Sequence, residues 1–323
     1  MAKSKKSGKN KKDKELKSMG AGVFMNIKTD YAFRKIFGYK EILISFLNAL
    51  NVLPEKILDI QYLPPEQLGH RVSIRKATYD IFAKMSDGKH FVIEMQIAPQ
   101  THFAERLLFY LSHLLLKQIP KGLVITTNEK GEEVKTEWEY EVDGAYVIAI
   151  LDFVMFKEKV AEDIAMETVR LIRERAKLVY SDKYKLIIIE LPKFKKKLEE
   201  LIDLAEKWIL SIGHIEEFSE CPESMKDDES LRMLYEITRI ENLKVNEMRA
   251  YKQSVLEYED VVDALGITKQ EGIEIGRREG RQEGRREEQV KLIKRLYESK
   301  MSSKQIAKLI DLTEKEIYLI LGE

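Results

Sequence analysis

A chain of 323 residues, 44% hydrophobic and 34% charged, has enough apolar material for one large core or two modest ones and is too charged to be a membrane protein. Its longest apolar runs, such as residues 146–155, are about strand length and fall short of the roughly 20 residues a bilayer span requires, so no membrane partner is expected. The balance of 55 basic and 55 acidic side chains gives a formal net charge of zero, and a single cysteine, Cys221, excludes an intrachain disulfide and points to a reducing, cytoplasmic setting.

The charge is unevenly spread. Residues 1–19 carry eight lysines against Asp13 and Glu15, a basic segment with too little apolar surface to fold. No apolar block follows it, so it reads as neither a secretory signal nor a transit peptide. It is either a solubilising tail or a phosphate-binding one. Next, Thr29 or Asp30 caps a helix whose apolar positions Phe33, Ile36 and Phe37, then Leu43, Phe46, Leu47 and Leu50, recur at helical spacing, with Gly38 dividing it in two. Strands are expected at 57–63, 72–85 and 90–97, the last two joined by the turn sequence Ser86-Asp87-Gly88-Lys89. A helix over 103–118, a hairpin over 122–140 and an apolar strand over 146–154 follow.

Helix is expected again over 158–179, then a strand over 185–191 stopped by Pro192, then helix over 193–212. The polar stretch 215–230, with Pro222, marks an expected domain boundary, and 231–265 reads as helix. In 271–288 glycine falls at 272, 276, 280 and 284 among Glu and Arg. Each glycine costs a helix about 1 kcal/mol, but four-residue spacing places them on one surface ridge that a second backbone can approach. The segment is therefore either a flexible charged linker or a self-association helix. Finally, Ser302 or Ser303 and Thr313 cap two short helices resembling a helix-turn-helix unit. The acidic Glu314 and Glu316 suit packing better than DNA contact.

The chemistry concentrates in YDIFAKMSDGKHFVIEMQ, residues 79–96. Glu94 and Gln96 share a strand face. Asp80 joins them only if the turn is a three-residue loop, Ser86 to Gly88, with Gly88 in the left-handed region; Met85 then pairs with Lys89 and Asp80 lies opposite Glu94. A two-residue loop sends the two acids to opposite faces. Cross-strand partners stand about 5 Å apart at Cβ, close enough to share one hard divalent cation. Without a cation they repel and raise each other's pKa. The bland alternative is that either acid merely caps the chain or pairs with Lys76 or Arg106.

These stretches, together with NIKTDYAFRKIFG (26–38), LISFLNALN (43–51), ERLLFYLSHLLLKQ (105–118), YVIAILDF (146–153) and IIIELPKF (187–194), resemble the PD-(D/E)xK nuclease family transposases, or recombination-promoting nucleases, over residues 26–210. The resemblance implies an α/β, restriction-endonuclease-like mixed sheet flanked by helices, followed by a helical C-terminal region. It implies Asp80 and Glu94 as ligands of Mg²⁺ or Mn²⁺, Gln96 where lysine is commoner, and Asp30 as a supporting acid. Lys76, Arg106 and Tyr110 are candidate contacts to phosphate and sugar, with Arg106 alternatively pairing with Glu94 or Asp30.

The expected organisation is a basic tail (1–19), a nuclease-like domain (20–220), a helical extension (221–265), the glycine-rich segment (266–289) and a small helical unit (290–323). The expected function is metal-dependent DNA endonuclease, possible homo-oligomerisation running through 271–288. The alternative is a catalytically weak or inactive DNA-binding or assembly protein on the same fold.

Overall fold

The computed structural model describes residues 22–53, 55–64, 79–120, 124–127 and 133–321; the basic segment 1–19 and Lys76 lie outside them. The chain forms two compact units, residues 1–262 and 263–323.

In the first unit, helices α1 (Asp30–Phe37) and α2 (Lys40–Ala49) bury Phe33, Ile36, Phe37, Phe46 and Leu47, the apolar positions read from the sequence. Gly38 caps the end of α1, and a Cβ there would sit 2.9 Å from the Arg34 carbonyl oxygen, a close approach that glycine avoids. Strands β1 (Ile60–Tyr62), β2 (Ile81–Met85) and β3 (His90–Gln96) follow, then helix α3 (Phe103–Leu116) and a separate hairpin of β4 (Val124–Thr127) and β5 (Glu133–Thr136). The apolar strand β6 (Ala145–Leu151) is buried at every position.

The segment 158–179 is not the expected helix. It contains strand β7 (Met166–Arg170) and a two-residue-per-strand hairpin of β8 (Ile172–Arg173) and β9 (Leu178–Val179). The cause is tertiary: β10 (Tyr184–Glu190) offers an open edge, and residues 166–170 pair with it antiparallel, overriding the helix-forming Glu and Arg residues. Beyond Pro192 the chain makes short 3₁₀ turns, and helix α4 begins only at Leu204 (Leu204–His214), where the Asp203 carboxylate accepts a hydrogen bond from the Glu206 amide at 2.9 Å. That start is later than residue 193, the intervening residues forming 3₁₀ turns at Leu191–Lys193 and Leu198–Glu200 instead.

The main sheet has order β1-β2-β3-β6-β10-β7. β3, β6 and β10 run parallel at its centre, while β1–β2, β2–β3 and β10–β7 are antiparallel. Strand alternation sends Ile81, Ala83, Phe91 and Ile93 to one face, packed with α1, α2 and α4 around Trp208. Phe82, Val92, Val147 and Ala149 go to the other face, beneath Leu107, Tyr110 and Leu114 of α3. Both faces are covered, as central parallel strands require.

The polar stretch 215–230 does not end this unit. Ile215, Met225 and Leu231 are fully buried in the first core, and Asp228 caps helix α5 (Glu229–Ile237). The sequence signal was surface polarity between capped helices rather than a gap between cores. Residues 231–265 are likewise not one helix, since a 3₁₀ turn at Ile240–Asn242 separates α5 from α6 (Val245–Glu298). Within the first unit α6 docks through polar tips at helical spacing. Glu247 pairs with Lys35, the Asn26 amide donates to the Tyr251 hydroxyl at 2.9 Å, the Tyr31 amide donates to Ser254 Oγ at 3.0 Å, and the Tyr258 hydroxyl donates to Asp152 at 2.9 Å.

In the second unit the rest of α6, including its glycines, is helical. Helices α7 (Ser303–Ile310) and α8 (Glu314–Leu321) pack Ile306, Ala307 and Ile317 against Ile293. Ser302 caps α7 reciprocally with Gln305, and the Thr313 hydroxyl caps α8. Among the described residues no helix is long and apolar enough to cross a membrane.

Candidate active site

The turn decides the site. Ile81 pairs with Ile93, Phe82 with Val92, Ala83 with Phe91 and Lys84 with His90; the Met85 amide donates to the Lys89 carbonyl at 2.8 Å and the Gly88 amide to the Met85 carbonyl at 3.1 Å. This is the three-residue loop, with Gly88 at φ +92°. One step beyond Ile81–Ile93, the same register sets Asp80 opposite Glu94. Glu94 has the parity of Val92 and faces α3, whereas Asp80 lies just before the paired residues, where Arg34 of α1 reaches its carboxylate. Regular pairing stops at Asp80, whose carboxylate takes over the ladder by accepting the Met95 amide at 2.9 Å.

Glu94 is 1% exposed. Its Oε2 accepts from Arg106 Nη2 at 3.1 Å and from the Gln96 amide at 3.3 Å, whereas its Oε1 is buried with no hydrogen-bond partner. Burial, reinforced by the charge of Asp80 and only partly opposed by Arg106, pushes the Glu94 carboxyl up to about 8. Burial also raises Asp80 above the usual carboxylate range, against the pull of the Met95 amide and Arg34. A buried carboxylate oxygen without a donor is costly. Only Glu94 has such an oxygen, since both Asp80 oxygens accept hydrogen bonds, from Arg34 and from the Met95 amide; the oxygen donors of the two acids are of the hard type that Mg²⁺ or Mn²⁺ prefers.

Among the described residues no group of three or more His, Cys, Asp or Glu side chains is arranged for a metal. Two carboxylates nonetheless fit Mg²⁺, which characteristically keeps several waters and takes one or two protein acids plus substrate phosphate.

The other expected residues divide. Gln96 lies on the Glu94 face, donating to Glu94 and accepting from Gln100 at 3.0 Å. Arg106 and Tyr110 are joined to each other, Arg106 Nε donating to the Tyr110 hydroxyl, and the guanidinium lies over the Tyr110 ring at 5.1 Å. Arg106 therefore pairs with Glu94, one of the two alternatives the sequence left open. Asp30 touches neither acid directly. It holds Arg34 Nε at 2.8 Å, and Arg34 Nη2 reaches Asp80 Oδ1 at 3.1 Å. Arg34 was not among the sequence candidates; its only signal was the i,i+4 spacing from Asp30, common on any helix surface.

A mixed sheet flanked by helices, with an acid before one central strand and Glu-x-Gln ending the next, has the architecture of a PD-(D/E)XK nuclease. The family model of the PD-(D/E)XK nuclease family transposases matches residues 27–266, and the chain belongs to that family. No curated protein and no solved structure gives a match.

Proposed function

We propose that this protein is a divalent-metal-dependent endonuclease that hydrolyses DNA phosphodiesters, acting in the cytoplasm in recombination or transposition and self-associating through 271–288. The observation that carries the reading is the pairing of half-buried Asp80 with buried Glu94, whose Oε1 is unsatisfied at the carboxyl end of a central strand. Asp80 and Glu94 would hold Mg²⁺ or Mn²⁺, which when bound lowers the pKa of a water and stabilises charge on the phosphoryl group.

The chain's own residues do the rest. Arg106, tethered by Tyr110 and by Gln100 at 2.6 Å, fixes the rotamer of Glu94 and offsets part of its charge. Gln96 is neutral; with its amide oriented by Gln100 it positions the attacking water by hydrogen bonding and removes no proton. Asp30 supports the site through Arg34. Tyr110, buried in the core, is not a contact to sugar and serves to tether Arg106, while Lys76 is a phosphate ligand in this reading.

Purified protein should nick or cut plasmid DNA with Mg²⁺ or Mn²⁺ and not in EDTA. Asp80→Ala and Glu94→Ala should each lower the rate by at least about 100-fold while far-UV circular dichroism stays unchanged. Absence of cleavage of both single- and double-stranded DNA by the wild type, with unaltered metal affinity in Asp80→Ala, would favour the inactive DNA-binding alternative.

A further inference from the structure

Commonly in this fold a lysine two residues after the glutamate supplies positive charge at the reacting phosphate, and here Gln96 stands in that place. Among the described residues only two cations hydrogen-bond the acids, Arg34 on Asp80 and Arg106 on Glu94, both at 3.1 Å. They arrive from helices on opposite faces of the sheet, and their remaining bonds differ. All three Arg106 nitrogens are engaged, by Tyr110, Gln100 and Glu94, and its side chain is the less exposed, at 31%. Arg34 uses Nε on Asp30 and Nη2 on Asp80. No described residue hydrogen-bonds its Nη1, and its side chain is 45% exposed.

Arg34 also lines an open groove of about 550 Å³ between α1 and the first turns of α6, with Asp30, Lys35, Glu247 and Ser254. Lys35 is paired there with Glu247, and Arg34, itself paired with Asp30 and Asp80, keeps Nη1 without a hydrogen-bond partner among the described residues. A guanidinium held by two carboxylates is preorganised, and its unused edge can take a phosphate oxygen in fork geometry.

We propose that Arg34 is the catalytic cation of this nuclease: it contacts the scissile phosphate and supplies the transition-state charge stabilisation that lysine gives elsewhere, while Arg106 acts only as a positioning residue for Glu94. This rests on the nuclease reading above. Asp30 then has a defined task, holding Arg34 at the Asp80 edge.

The test pairs cleavage with metal-free binding. In Mg²⁺, Arg34→Gln should lower kcat about 100-fold, Arg34→Lys, which keeps the charge but not the fork, should lower it less, and adding Gln96→Lys to Arg34→Gln should restore at least tenfold, because a lysine at 96 returns the missing charge by another route. In EDTA, fluorescence anisotropy with a short DNA duplex should show the salt slope of binding reduced by about one for Arg34→Gln and unchanged for Arg34→Lys. Asp30→Asn loosens Arg34 without removing its charge and should lower kcat by less than Arg34→Gln does. Wild-type cleavage with unimpaired Arg34→Gln and an unaltered slope overturns the inference and leaves the nuclease reading standing. A wild type that does not cleave overturns the nuclease reading and with it the catalytic role, whereas the slope separately decides the phosphate contact.

Discussion

At the residue scale the informative quantity is the proton on Glu94. Its folded-state value, about 8, lies above the ordinary glutamate value of roughly 4.3. Between those limits the folded chain holds a proton that the unfolded chain has released. The stabilisation from this group is therefore complete below about pH 4.3 and is lost as the pH rises through about 8. Asp80 is shifted in the same direction. In EDTA the melting temperature of the wild type should fall between pH 5 and pH 8, and Glu94→Gln, which removes the ionisation but keeps the shape, should flatten that fall and melt higher at pH 8. Saturating Mg²⁺ should reverse the order, since ligand at 100 times its Kd adds about 2.7 kcal/mol to the state that binds it. A wild-type melting temperature that is flat with pH in EDTA would mean Glu94 is compensated by a group other than a metal. Arg34 shows what the sequence hides at this scale: the acids announce themselves by sitting among apolar strand residues, whereas an arginine on an exposed helix face looks like any other surface charge.

At the scale of elements, the hairpin was legible because its chemistry is local. Ser-Asp-Gly turn residues and period-two apolarity leave two registers, and only one puts Asp80 across from Glu94. Gly88 makes that register possible: it holds φ +92°, and a Cβ there would lie 2.0 Å from the Asp143 carboxylate and 3.2 Å from its Cβ. Gly88→Ala should therefore cost about 1–3 kcal/mol in a denaturant titration, and Asp143→Ala in the same background should recover only the steric part, leaving the backbone strain. Equal stability of Gly88→Ala and wild type would show that the loop has another conformation available. Gly38 and Ser302 were legible for the same reason, as local punctuation of helices. Strand β7 was not. Residues 166–170 contain helix formers and no turn glycine, and what makes them a strand is the edge of β10, a partner that lies beyond Lys177 in the chain. The boundary expected at 215–230 failed likewise, because polarity there reports exposure between helices, while the buried Met225 and Leu231 that join the first core are too sparse to read.

At the scale of the whole molecule, the segment 271–288 connects sequence pattern to assembly. Glycine costs a lone helix about 1 kcal/mol per site, yet α6 continues through all four glycines, and a Cβ placed at Gly276, Gly280 or Gly284 would meet nothing within 4 Å. The ridge is thus open to a second backbone. Its flanks are polar in opposite senses: Glu279 and Glu283 precede glycines, and Arg277 and Arg281 follow them, so one side of the ridge is acidic and the other basic. A two-fold axis parallel to the helix brings the acidic flank of one copy against the basic flank of the other, whereas an antiparallel pair sets acid against acid and base against base. Close backbone approach supplies dispersion contact that a single helix lacks, and charge complementarity selects the parallel pair. Light scattering of the full chain should give twice the monomer mass at low salt, and deletion of 266–323 should reduce it to the monomer while plasmid cleavage persists, because every proposed site residue lies before Val262. Replacing Arg277 and Arg281 with glutamate makes both flanks acidic and should dissociate the dimer in the intact chain, with the dissociation weakened by added salt as screening sets in. A full chain that scatters as a monomer, or a dimer indifferent to that double substitution, would reduce the ridge to a charged linker held helical by its own ion pairs.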